Sequence, residues 1–287
     1  MPRFLLIRQP SLRLHPPPSS SNTTFEKAIA SLQYSYAEDV QQTSDGGYVV
    51  GADSCSNTLC YVALVAKLDS NSNLQWQKQY QFPGLSTQLY ALRQTSEGGY
   101  VWAGEVQNFN GCSECALVVK LDSNGNVQWQ HSDSGLNEAQ ANDIQQTADG
   151  GYVIAGYTSP SQSTYPPPAV QAWVEKLDSS GNLQWQKTYG ATTQSREFQK
   201  IAPTSDGGFV AVGWTIQFSP NNQAYIVKTD SAGNVNSCSG VLSTSATTAN
   251  ASVTSSSAHL SISAPTNGGA SGIATASSTS FTLTKEC

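Results

Sequence analysis

"QQTADGGYVIAG", residues 145–156, is one of four near copies in a chain of 287 residues: "QQTSDGGYVV" occupies 41–50, "RQTSEGGYVWAG" 93–104 and "APTSDGGFVAVG" 202–213. The acid of each copy falls at Asp45, Glu97, Asp149 and Asp206, giving spacings of 52, 52 and 57 residues. A second signature keeps step with the first: "AKLDSNSNLQWQK" (66–78), "VKLDSNGNVQWQH" (119–131), "EKLDSSGNLQWQK" (175–187) and a shortened "VKTDSAGNVNSC" (227–238). Periods of this length indicate a solenoid, an array or a propeller, assembled from one unit that cannot bury its apolar face alone.

Each period holds two hairpins. Residues 141–147 read as a strand that the Asp-Gly-Gly turn folds back onto 151–156, glycine supplying the positive φ that a tight hairpin needs. Residues 172–177 pair in the same way with 183–189 across "DSSGN", whose Asp and Asn bond the turn backbone. Helical periodicity is absent. Four short antiparallel strands per period read as one propeller blade. The expected fold is therefore all-β, a four-bladed β-propeller of four-stranded antiparallel blades followed by a β-structured tail.

The fourth repeat lacks the W-x-K-x-Y strand that ends the other three. "FEKAI" supplies its equivalent near the other end of the chain, with Phe25, Lys27 and Ile29 in the Trp, Lys and Tyr slots. The N-terminal strand is thus expected to complete the last blade, closing its own ring or serving as a donated strand in a neighbouring subunit. Both routes fit the sequence. Three regions follow: an extended Pro-rich arm (1–24), the propeller (25–237) and a Ser/Thr-rich C-terminal tail (238–287).

Charged residues make up only 12% of the chain, and residues 25–236 carry 19 acids against 10 bases, a net of −9 that repels phosphate backbones. Nucleic acid is therefore excluded as a partner. No apolar run approaches the roughly 18 residues of a membrane span. No signal peptide is visible either, because the basic start contains an apolar stretch of only four residues.

The "DGGY" and "KLDxxGNxxW" motifs resemble those of tandem-repeat β-propeller proteins from secreted bacterial and archaeal chains, over residues 25–237. The second motif is also similar to the tryptophan-docking motif of quinoprotein propellers. That resemblance implies that Asp122, Gly125 and Trp129 lock adjacent blades, as do Asp178, Gly181 and Trp185, with a degenerate set at Asp69, Ser72 and Trp76 and a partial one at Asp230.

The four copies act as an internal control. Positions alike in all of them serve the fold, whereas a ligand site would make blades differ. "DSNGN" places oxygens at Asp122, Asn124 and Asn126 with the alternation of a Ca²⁺ loop, but the pattern decays in the sister turns and no EF-hand glutamate follows, so a plain turn is expected and no metal or cofactor. His131 fills the slot of Lys78 and Lys187 and reads as drift at an exposed strand position, with no catalytic constellation around it. Glu175 stands where the sister strands carry Ala66, Val119 and Val227. It is read either as a perturbed acid in a central channel or, preferably, as the partner of a nearby lysine. The residue after each strand-ending glycine varies as Ala52, Glu105, Tyr157 and Trp214, and with Glu175 the last three form the candidate ligand face.

Cys55 with Cys60 and Cys112 with Cys115 are expected as local disulfides, and Cys238 with Cys287 as the bond that closes the tail. Zinc is the competing use of such pairs. The tail and arm are the surfaces expected to self-associate. These features together suggest a non-catalytic extracellular or cell-surface protein, structural or adhesive, with self-assembly into filaments through its terminal segments as one expected form. A lectin-like propeller reading surface glycans is the alternative, and a quinoprotein-type enzyme the least favoured.

Overall fold

The computed structural model describes residues 28–30, 34–55, 61–109, 112–133, 138–159, 169–190, 194–216, 222–235, 241–243, 248–249, 254–257 and 261–263. The architecture is all-β. No helix among the described residues is long and apolar enough to cross a membrane.

A short strand β1 (Ala28–Ala30) precedes four units. Unit 1 is β2 (Tyr34–Gln42), β3 (Tyr48–Cys55), β4 (Val62–Leu68) and β5 (Leu74–Gln81). Unit 2 is β6 (Thr87–Gln94), β7 (Tyr100–Phe109), β8 (Cys112–Leu121) and β9 (Val127–Asp133). Unit 3 is β10 (Glu138–Gln146), β11 (Tyr152–Ser159), β12 (Gln171–Leu177) and β13 (Leu183–Tyr189). Unit 4 has three strands among the described residues, β14 (Arg196–Pro203), β15 (Phe209–Thr215) and β16 (Gln223–Thr229). Within each unit, strands consecutive in sequence pair antiparallel, and both hairpins read from the sequence form in unit 3, with Ile144 opposite Ile154 and Val174 opposite Lys187.

The repeated Asp-Gly-Gly turn has a steric and an electrostatic reason. Its first glycine holds φ between +79° and +85° in all four copies (Gly46, Gly98, Gly150, Gly207), a region that costs other residues about 1 kcal/mol or more. At the second glycine a Cβ would come within 2.1–2.4 Å of the carbonyl oxygen of Leu68, Leu121, Leu177 or Thr229. That closeness lets a lysine join the turn. Lys67, Lys120, Lys176 and Lys228 each donate to the same carbonyl, at 2.8–3.1 Å, and pair with the turn's acid at 2.9 Å (Asp45), 2.8 Å (Glu97), 3.0 Å (Asp149) and 2.7 Å (Asp206). The first hairpin's acid and the second hairpin's lysine thus tie each unit together.

Units then pack face to face. Val101, Ala103, Ala116 and Val118 of unit 2 meet Ala141, Ile144, Tyr152 and Trp173 of unit 3 in one core cluster, and equivalent clusters join unit 1 to unit 2 and unit 3 to unit 4. Polar groups join the first strands of the units: Asp39 accepts from the Leu92 amide at 2.9 Å and Asp143 from the Ile201 amide at 3.0 Å. Arg93 of unit 2 bridges Asp39 of unit 1 and Asp143 of unit 3.

The two end faces of the array remain open. Val212 and Ile226 of unit 4 occupy the positions of the buried Ala155 and Val174 in unit 3, yet Ile226 is 60% exposed. Val40 of unit 1 occupies the position of the buried Leu92, Ile144 and Ile201, yet it is 63% exposed.

The tail continues the sheets. Strands β17 (Val241–Ser243), β18 (Thr248–Ala249) and β19 (Thr254–Ser257) add antiparallel to β13, β9 and β5, visiting units 3, 2 and 1 in turn. The next strand, β20 (Ser261–Ser263), pairs with β1. Residues opposite the equivalent slots Tyr189, Asp133, Tyr80 and Ile29 are Val241, Thr248, Ser255 and Ile262, a constant step of seven. The rhythm places β1 in the slot of a fourth strand; among the described residues β16 pairs with β15, and β1 pairs with β20. The tail moves one outer edge per step and reaches β1 next. Phe25, Lys27, the arm 1–24, Cys60, Cys238 and Cys287 lie outside the described residues.

Candidate functional site

Unit boundaries share one geometry. The DxxGN turn is closed by its own acid: Asp122 Oδ1 accepts from the amides of Asn124 and Asn126, both at 2.8 Å, and Oδ2 from the Asn126 side chain. The oxygens a Ca²⁺ loop would use therefore face N–H donors, as do those of Asp69, Asp178 and Asp230. The glycine of each turn lies under the tryptophan of the preceding unit. A Cβ on Gly125, Gly181 or Gly233 would come within 2.6–2.8 Å of the ring of Trp76, Trp129 or Trp185. Trp76 also donates to the Ser123 carbonyl at 3.1 Å.

Two further contacts accompany the indole at the first and third boundaries. Tyr80 donates to the Gly125 carbonyl at 2.8 Å and Lys78 to Asn126 at 2.6 Å; Tyr189 donates to the Gly233 carbonyl at 2.9 Å and Lys187 to Asn234 at 2.5 Å. At the boundary between units 2 and 3 the same two slots hold His131 and Asp133. Both are buried, which corrects the expectation of an exposed histidine: β9 turns this edge toward unit 3, where Glu175 of β12 faces it with no solvent exposure. The expected lysine partner of Glu175 is likewise replaced by this pair, because the nearest lysine of its unit, Lys176, alternates to the turn and binds Asp149.

His131 Nε2 stands 3.0 Å from Glu175 Oε1 and 3.7 Å from Asp133 Oδ1. His131 Nε2 and all four carboxylate oxygens are buried and make no hydrogen bond outside this cluster. One ligand atom from each residue lies within 4.8 Å of the others, the reach of a single metal ion. Burial, followed by the Asp133 carboxylate, pushes Glu175 well above the usual carboxylate range. Burial alone would lower His131, yet the carboxylates of Glu175 and Asp133 outweigh it and hold the imidazolium up to about 10.

The other candidate residues lie on the second strand of their units, Glu105 on β7, Tyr157 on β11 and Trp214 on β15. Glu105 is buried, and burial together with Glu114 pushes it up to about 7; Asp53 is raised to about 7 by burial, with Glu38 and Glu105 adding to it. Tyr157 is half-buried and pushed up by burial and by Glu114 and Glu105. Trp214, also half-buried, hydrogen-bonds the carboxyl of Glu197. Glu105, Tyr157 and Trp214 therefore belong to one acidic end, whereas Glu175 sits apart at the unit boundary. Asp53 and Glu197 escaped the sequence reading because their repeats show no motif there.

Cys112 and Cys115 form a disulfide at the start of β8, with Cα atoms 5.8 Å apart. No protein-family model matches the chain, and no curated protein matches it.

Proposed function

We propose that the four units are propeller blades and that the chain is a non-catalytic structural subunit which assembles with copies of itself, in an extracellular or cell-surface setting. One observation carries the reading. Among the described residues unit 4 has three strands and exposes Val212 and Ile226, while β1 pairs with β20 and not with β16, and unit 1 exposes Val40. The three internal boundaries bury these same positions, so the two end faces are complementary halves of an interface the chain already makes three times.

A second copy fits them. Its β1 would take the place beside β16, and its unit 1 would cover Ile226. Ends that differ in this way join head to tail, closing a ring where the rotation allows and otherwise continuing as a filament. The disulfide Cys112–Cys115 fits an oxidising compartment.

In unit 3 Tyr189 lies opposite Ala172, so the equivalent contact places Ile29 opposite Ala224. A chain carrying Ile29→Cys and Ala224→Cys is expected to oxidise to covalent dimers and larger species on a non-reducing gel. A cross-linked monomer would instead show that β1 closes its own unit 4, and would overturn exchange between copies.

A further inference from the structure

Three departures from the repeat meet at one boundary. Its sisters are held by a lysine on an asparagine and a tyrosine on a glycine carbonyl, but here the lysine slot is His131, the tyrosine slot is Asp133, and the facing strand replaces a small apolar residue with Glu175. Each change alone weakens the boundary. Asp133 loses the bond to a carbonyl it cannot donate to, and Glu175 adds a carboxylate at a site that is fully buried. Drift at one slot does not explain why all three supply metal-ligating groups to the same point.

Charge gives the second argument. Two carboxylates buried beside each other make a site that favours a bound cation. A divalent cation held by both carboxylates and a neutral imidazole balances the site. It would also give a partner to one buried atom of each residue, in a cluster whose five buried polar atoms have no hydrogen bond outside it. The donor set, one nitrogen and two carboxylates, suits a first-row transition ion such as Zn²⁺ or Mn²⁺, since Ca²⁺ and Mg²⁺ favour all-oxygen sites.

We propose that His131, Asp133 and Glu175 bind one first-row divalent metal ion that fastens unit 2 to unit 3, in place of the lysine and tyrosine contacts of the other boundaries. The ion is structural. It lies between packed sheets, and two of its ligands come from β9 and one from β12, so binding it requires both units to be docked. This site is independent of how copies assemble, because it lies within one chain.

The test uses the untagged full chain, stripped with chelator and dialysed. Zn²⁺ and Mn²⁺ are added separately, metal content is read by elemental analysis, and thermal melting is followed. Uptake of about one ion per chain is expected, with a rise of roughly 4 °C or more in the melting midpoint once the metal is in ~100-fold excess over its dissociation constant. The triple variant His131→Lys, Asp133→Tyr, Glu175→Val rewrites the boundary in its sisters' residues and keeps every cysteine. It is expected to melt cooperatively, bind no metal and ignore both ions. Glu175→Gln preserves shape and should weaken uptake at least ~10-fold by loss of one charged ligand. Failure of the wild-type chain to take up either ion, or equal uptake by wild type and either variant, would overturn the proposal.

Discussion

A lysine and an acid 22 to 27 residues apart decide how each repeat folds back on itself. The recurrence of Asp-Gly-Gly was plain in the sequence, and so was that of the lysine in "KLD", but their pairing was not, because nothing in either motif tells which hairpin faces which turn. The structure joins them four times. These pairs set one limb of the stability profile. Hydrogen bonds from Thr43, Lys67 and Gly47 outweigh burial and hold Asp45 down to about 2, and similar partners bring Glu97 and Asp149 to about 2. A carboxyl lower in the folded chain than in the unfolded one stabilises above its ordinary range and loses that contribution as pH falls toward 2.

Asp53 and Glu105 act in the opposite sense. Their folded-state values near 7 lie above those of the unfolded chain, so the stability they allow is complete below about pH 4 and declines as pH rises through 7. The chain is therefore expected to melt highest in mildly acidic buffer. Calorimetry across pH 3–8 should show both limbs, and Asp53→Asn with Glu105→Gln should flatten the upper one. An unchanged upper limb in that double variant would remove these two residues from the explanation.

At the scale of the element, strands within a unit were legible because alternation, turn chemistry and repetition agreed; β10 with β11 and β12 with β13 pair as read. The tail was legible only as thin strands. Its Ser/Thr-rich segments carry little apolar patterning, so nothing local specifies their partners, which are the outer edges of other units at a step of seven residues. Ile29, which "FEKAI" puts in a tyrosine slot, lies opposite Ile262, the next member of that step. His131 and Glu175 were misjudged for a related reason: an alternation pattern gives the face a side chain occupies, but not the unit stacked against that face. Removing residues 241–287 should uncover β5, β9 and β13. Hydrogen exchange is expected to quicken at those three strands while β3, β7 and β11 stay protected; uniform protection would mean that the tail does not cover the edges in solution.

The whole molecule is a run of four equivalent units with unequal ends. Arg93 links the first strands of three of them through Asp39 and Asp143, and three apolar interfaces repeat along the array. Repetition made this arrangement readable from sequence. Closure was not, since a strand that completes a fourth unit has the same sequence whether it acts within its own chain or in the next. The exposed Val40, Val212 and Ile226 bear on that choice. Light scattering of the full chain, with and without Val212→Asp and Ile226→Asp, measures it most directly. We expect a mass of two or more times 30.4 kDa for the native chain and a shift toward a single chain in the variant; a native chain that stays at 30.4 kDa across a wide concentration range would contradict assembly through its open ends.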